Sequence, residues 1–128
     1  MTRRAVETSH APTAIGPYSQ AIVDGASVYT AGQIALHPET GEMVGAGDIE
    51  AETRQALTNL REVLQAAGST LDSVLRCDVY MADLTQFEAM NKVYAKFFHM
   101  TPPARVTVQA AALPKGALVE IAAIARLL

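Results

Sequence analysis

The sequence predicts an α+β fold in which two helices pack against one face of a sheet. Three observations predict it. Apolar residues recur at helical spacing from Ile49 to Ala67, apolar and polar residues alternate from Val74 to Met81, and strand-like segments flank and separate only two helical ones. A chain of 128 residues is long enough for one hydrophobic core and too short to divide comfortably, so a single domain over 1–128 is expected.

The first twenty residues, with Pro12 and Gly16-Pro17, read as extended chain and loop, because proline fixes φ and pushes its predecessor out of the helical region. A first strand is expected near Ala21–Asp24. The Asp24-Gly25 turn signal then leads into a second, Ser27 to Ile34, rich in β-branched and aromatic residues. Gly32 within it marks a point where the backbone comes close to something. The stretch His37 to Gly47, with Pro38 and three glycines, is a loop.

Asp48 is placed to cap a helix whose inner stripe is Ile49, Thr53, Ala56, Leu57, Leu60, Val63, Leu64 and Ala67. Glu50, Glu52, Arg54 and Glu62 are assigned to its outer surface, and Gly68 ends it. Leu75, Cys77, Val79 and Met81 alternate with polar residues in the next strand, turning Cys77 inward. A second helix is expected between Leu84 and Phe98, stopped by Pro102-Pro103. Two strands near Ala104–Ala110 and Leu118–Arg126 close the chain. The last is apolar on both sides, more than two helices can cover, so a homo-oligomer burying the second sheet face is expected.

Half of the residues are hydrophobic (50%) against 18% charged, which excludes a disordered chain. A net charge of -3 with no basic cluster argues against a nucleic-acid partner. No stretch is long and apolar enough for a membrane span or signal peptide, so a cytoplasmic location is expected. Cys77 is the only cysteine, and His10, His37 and His99 are scattered, so no metal is assigned. Neither a dinucleotide fingerprint nor a phosphate loop appears, and no cofactor is expected.

Four residues break the structural pattern. Glu120 lies among Leu118, Val119, Ile121, Ala122 and Ile124, where an unpaired carboxylate is costly to bury unless the strand is an edge and the acid is solvated. Arg105 opens the preceding strand with Thr107 and Gln109 on the same side. If the two strands pair, Arg105 and Glu120 approach one rim, with Arg105 either a fork for a carboxylate or one half of a structural Arg-Glu ion pair. Asn91 lies on the aromatic face of the second helix, and Tyr18 in a loop; both have plain structural explanations.

With these residues in view, the chain resembles the Rid (reactive intermediate deaminase, YjgF-type) family, and its imine deaminase branch in particular. The resemblance rests on Ala14-Ile15-Gly16-Pro17-Tyr18-Ser19-Gln20-Ala21, Gly32-Gln33-Ile34, Pro38-Glu39-Thr40-Gly41, Asn91 with Tyr94 and Phe97-Phe98, Pro103-Ala104-Arg105, Ala112-Leu113-Pro114-Lys115 and Val119-Glu120-Ile121. It implies a chorismate-mutase-like fold assembled as a homotrimer with ligand sites between subunits. It also implies hydrolysis of 2-iminobutanoate and 2-iminopropanoate to 2-oxo acids and ammonia, without cofactor or metal.

Carried over residue by residue, the resemblance gives Arg105 the substrate carboxylate and Glu120 the water. Tyr18 lines the pocket and is one possible proton donor to the leaving nitrogen, the substrate's own carboxylate being the other. Gly32, Ala31, Asn91 and Thr107 are placed around the substrate. Ala31 and Thr107 stand where relatives often carry serine and cysteine, which bears on substrate range. The rival class is a trimeric carboxylate-binding or regulatory protein without turnover. A chaperone or ribonuclease role has less physical support, given the acidic balance and the absence of a catalytic His pair.

Overall fold

In the computed structural model, which describes residues 3–98 and 100–128, the long helix α1 (Ile49–Ala67) has its ends fixed by the two residues the sequence singles out. The Asp48 carboxylate accepts from the N–H groups of Glu50 and Ala51, a cap of the kind worth about 1 kcal/mol. Gly68, at φ 91, donates to the Gln65 carbonyl while Ser69 N–H returns to Leu64, so the last carbonyls are satisfied by a left-handed turn. A single turn at Leu84–Gln86 precedes α2 (Phe87–Phe97), which is therefore shorter than the segment its apolar pattern suggests.

Six strands form one sheet: β1 (Arg4–Val6), β2 (Ala21–Asp24), β3 (Ser27–Thr30), β4 (Val74–Met81), β5 (Ala104–Gln109) and β6 (Val119–Arg126). Their order across the sheet is β1-β2-β3-β6-β4-β5, antiparallel throughout except for the parallel β4–β5 pair. Both helices cover one face. Leu57, Leu60 and Leu64 of α1 and Met90 and Tyr94 of α2 share a buried core with Val28, Cys77, Val79, Met81, Val119 and Ile121 of the sheet. The other face carries Tyr29, Tyr80, Val106 and Val108, all more than a third exposed, with Ile22, Ala122 and Ile124 between them.

Several expectations need correction. The N-terminal segment contributes an extra edge strand, β1, whose three residues are too few to show a period. The second strand stops at Thr30 rather than Ile34, and only Gln33 rejoins the sheet, opposite Ile121. The two closing strands do not pair, because β4 lies between them, and β6 is central rather than an edge. Glu52, assigned to the surface, is fully buried. Its carboxylate accepts from Gly47 N–H (3.0 Å) and Leu118 N–H (2.8 Å), so the acid is satisfied and joins α1 to the start of β6. His99 lies outside the described residues.

Candidate functional site

The departure of β3 from the sheet creates the first feature of interest. Thr30 Oγ1 accepts from Ala123 N–H (2.9 Å), replacing a ladder bond with a side-chain one. The chain then swings out through Ala31 and Gly32 before Gln33 and Ile121 exchange backbone bonds at 2.8 and 3.0 Å. Glu120, one residue before Ile121, is left beside that detour. A Cβ built on Gly32 would overlap the Glu120 carboxylate and lie 2.9 Å from its Cγ, so glycine is what lets the carboxylate sit here, for reasons of space rather than φ.

Two buried amides hold the surrounding loops. Gln20 accepts from Thr8 N–H (2.7 Å) and donates to the carbonyls of Thr8 (3.1 Å) and Pro12 (2.8 Å), and its own backbone carbonyl accepts from Ala31 N–H. Asn59 on α1 donates to the carbonyls of Ile34 (3.0 Å) and Leu36 (2.9 Å). The result is a cleft of about 480 Å³ walled by Ile15, Tyr18, Ala31, Gly32, Ile34 and Pro114, with Glu120 and Lys115 as its charged lining. Tyr18 is fixed by accepting from Ile15 N–H at 3.1 Å. Burial raises the Glu120 carboxyl above the ordinary glutamate value.

The second feature lies on the other side of the sheet. Arg105 pairs in register with Cys77, a core residue, and so extends toward the helices. Its guanidinium donates to Asn91 Oδ1 at 2.7 Å and lies over the rings of Tyr94 (4.7 Å) and Phe87 (5.4 Å). No carboxylate among the described residues is within ion-pair distance of it, so the structural ion pair is not formed within one chain. The cation is held by an amide and two aromatic faces, an arrangement that orients it without neutralising it. Beside it, the hydroxyls of Tyr94 and Thr107 are buried without a hydrogen-bond partner. Burial pushes the neighbouring Cys77 thiol up to about 11 and the Tyr94 phenol upward as well.

The structure therefore brings Tyr18, Ala31, Gly32 and Glu120 together, and separately Asn91, Arg105 and Thr107. Within one chain the two groups do not meet: β4 separates their strands, and Arg105 leaves the covered face while Glu120, opposite the exposed Tyr80, leaves the open one. Reasoning from sequence missed Gln20, Asn59 and Glu52 as scaffolding and Lys115 as a cleft residue. The inner spacing of Ile49, Thr53 and Ala56 also includes Glu52, a signal that its charge obscured.

Comparison with known proteins bears on the family and the fold. The family model described as Endoribonuclease L-PSP matches residues 8–127. A 2-iminobutanoate/2-iminopropanoate deaminase of Capra hircus is 46% identical over 98% of this chain and 90% of its own. A RutC family protein of Pyrococcus horikoshii is 48% identical over 96% and 97%. Among solved structures, a Rid-family protein of unknown function from Yersinia pestis superposes with TM-score 0.94 at 45% identity, covering 98% of this chain and all (100%) of that one. Escherichia coli TdcF with bound serine gives 0.91 at 40%, covering 96% and 98%. With the match to the family model running through nearly the whole chain, this protein belongs to the Rid (YjgF-type) family.

Proposed function

We infer that the protein hydrolyses 2-imino acids such as 2-iminobutanoate and 2-iminopropanoate to 2-oxo acids and ammonia, in sites that two copies of the chain complete together. The observation that carries this reading is the desolvated Glu120 carboxylate beside Gly32 in an apolar cleft. Such an acid is poised to take a proton from water. Relatives at 43% to 46% identity bear the deaminase name, which supports the same chemistry.

The reaction needs an anchor for the substrate carboxylate, a positioned water and proton return. Arg105 of one copy, held flat by Asn91, Tyr94 and Phe87, presents a planar fork that suits a carboxylate. Across the interface, Glu120 removes a proton from water as its oxygen bonds to the imine carbon and the C=N pair moves onto nitrogen. Return of that proton to nitrogen gives a carbinolamine bearing an amine. Transfer of the hydroxyl proton to that nitrogen, which becomes –NH3+, then lets the oxygen form C=O as the C–N bond breaks and ammonia leaves. Tyr18 at the cleft wall is the candidate for that proton relay, and the Gly32 backbone lies where substrate polar groups would be read. The exposed apolar face with Tyr29, Tyr80, Val106 and Val108 supports burial against further copies, which we read as a homotrimer with a chorismate-mutase-like arrangement.

The test generates 2-iminobutanoate with a threonine dehydratase in the presence of a trap and compares 2-oxobutanoate formation with and without the protein. Faster formation, abolished by Glu120→Gln, is expected. Binding of 2-oxo acids without acceleration would instead favour a carboxylate-binding protein.

A further inference from the structure

Thr30 stands at the point where the sheet is interrupted. Its main chain stays in register with Ala21 of β2, and the next N–H, that of Ala31, still reaches the Gln20 carbonyl, so the ladder on the β2 side runs on undisturbed. On the β6 side it does not. Tyr29 lies opposite Ile124 and Gln33 opposite Ile121, so the chain leaving β3 takes four steps where β6 takes three. The extra residue makes a bulge, a device that breaks the ladder locally and re-aims the side chains around it.

The bulge costs Ala123 its ladder carbonyl, and Ala123 is buried, so water cannot meet its N–H. The Thr30 hydroxyl oxygen accepts that N–H at 2.9 Å. Valine would suit a half-buried strand equally, as Val28 of the same strand does, but among β-branched residues threonine alone adds an acceptor. The surplus backbone is taken up at Ala31 and Gly32, where the chain closes on the Glu120 carboxylate so tightly that a Cβ would overlap it.

Resting on the reading that Glu120 is the base of the proposed hydrolysis, we propose that Thr30 is a positioning residue for that reaction, its hydroxyl sustaining the bulge that sets Gly32 against the Glu120 carboxylate. Thr30 does not line the cleft and acts only through Glu120. Without the hydroxyl, the Ala123 N–H draws a main-chain carbonyl of residues 30–32 toward itself, the bulge flattens, and Gly32 withdraws. Glu120 is then more solvated, and its carboxyl falls back toward the ordinary glutamate value.

The test compares wild type, Thr30→Val and Thr30→Ser as assembled proteins. It follows 2-iminobutanoate turnover against pH and, separately, the Glu120 carboxyl titration by NMR of isotope-labelled glutamate, identified by its absence in Glu120→Gln. In Thr30→Val, kcat should fall at least about tenfold with KM unchanged within about twofold. The acid limb and the carboxyl titration should both move down toward 4.5. Thr30→Ser, which returns the hydroxyl, should restore all three. If Thr30→Val does not fold, Thr30→Ala is read in the same way. Wild-type kcat and titration in a folded variant without the hydroxyl overturn the proposal. So does a serine variant as impaired as the valine one, or a loss of kcat with the Glu120 titration unmoved, either of which leaves Thr30 a packing residue. The carboxyl titration needs no turnover and so separates the two readings: a titration that depends on the Thr30 hydroxyl in a protein without turnover removes the deaminase and keeps this inference, whereas turnover with a titration indifferent to Thr30 does the reverse.

Discussion

The Glu120 cleft and the Arg105 cluster are built on opposite principles. Around Glu120 the sheet is interrupted: β3 ends early, two loops are pinned by the buried amides of Gln20 and Asn59, and an acid is left partly desolvated over a glycine. Around Arg105 the structure is regular: a strand residue is clamped by a helix through one hydrogen bond and two aromatic rings. The first arrangement raises the energy of a charge, and the second fixes a charge in orientation. A carboxylate-bearing substrate that must be attacked by water needs both, and a single chain keeps them apart. On the proposed reading, the difference puts the chemistry between copies, not within one.

Removing the anchor should impair turnover severely. Arg105→Lys keeps the charge but loses the fork, and kcat/KM for 2-iminobutanoate should fall by at least about a hundredfold, with Arg105→Ala worse. The assembly, followed by light scattering, should survive both. Dissociation in Arg105→Lys with normal turnover of what remains assembled would move this residue from ligand to interface.

Glu120→Gln should abolish turnover while 2-oxobutanoate binding persists. In the wild type the acid limb of the rate profile should lie above pH 4.5, the ordinary glutamate value, because burial raises the folded-state carboxyl. The same shift has a stability signature. A folded group that holds its proton more tightly than the unfolded chain loses its stabilising contribution as pH rises through the folded value. Glu120→Gln should therefore melt higher than the wild type at pH 8, and the gain should vanish near pH 4. A rate limb at or below 4.5 would contradict the desolvated acid.

Asn91→Leu is smaller in effect and sharper in meaning. It removes the 2.7 Å contact that orients Arg105 without touching the cation, so kcat/KM should drop about tenfold, the scale of one charge-assisted hydrogen bond. An unchanged rate would leave the aromatic rings as the whole clamp. Least affected of all is Cys77, whose buried thiol at about 11 should resist alkylation at pH 8 in the folded protein and react on unfolding.

How much of this the sequence discloses follows from which signals are local. Both helices, the Asp48 cap, the Gly68 stop and the inward Cys77 follow from period and capping, properties of neighbouring residues. Gly32 and Glu120 stand out because each violates its surroundings, and they meet. Strand order is different, since nothing local tells β5 that β4 will intervene before β6. The expected rim shared by Arg105 and Glu120 fails for that reason. Glu52 and Asn59 are misread or passed over because polar residues on a helix default to the surface, while here backbone groups from distant loops come to meet them. Lys115 is hidden because a positive φ at a non-glycine leaves no mark in composition.

On the proposed reading, Arg105 of one copy and Glu120 of another make one site. Co-assembly of Arg105→Ala with Glu120→Gln tests it directly. Each variant alone should be inactive, yet a one-to-one mixture unfolded and refolded together should regain about one quarter of wild-type activity, the share of interfaces in which an intact Arg105 faces an intact Glu120 in a randomly mixed closed ring. Mixed oligomers that form but show no recovered activity would contradict it.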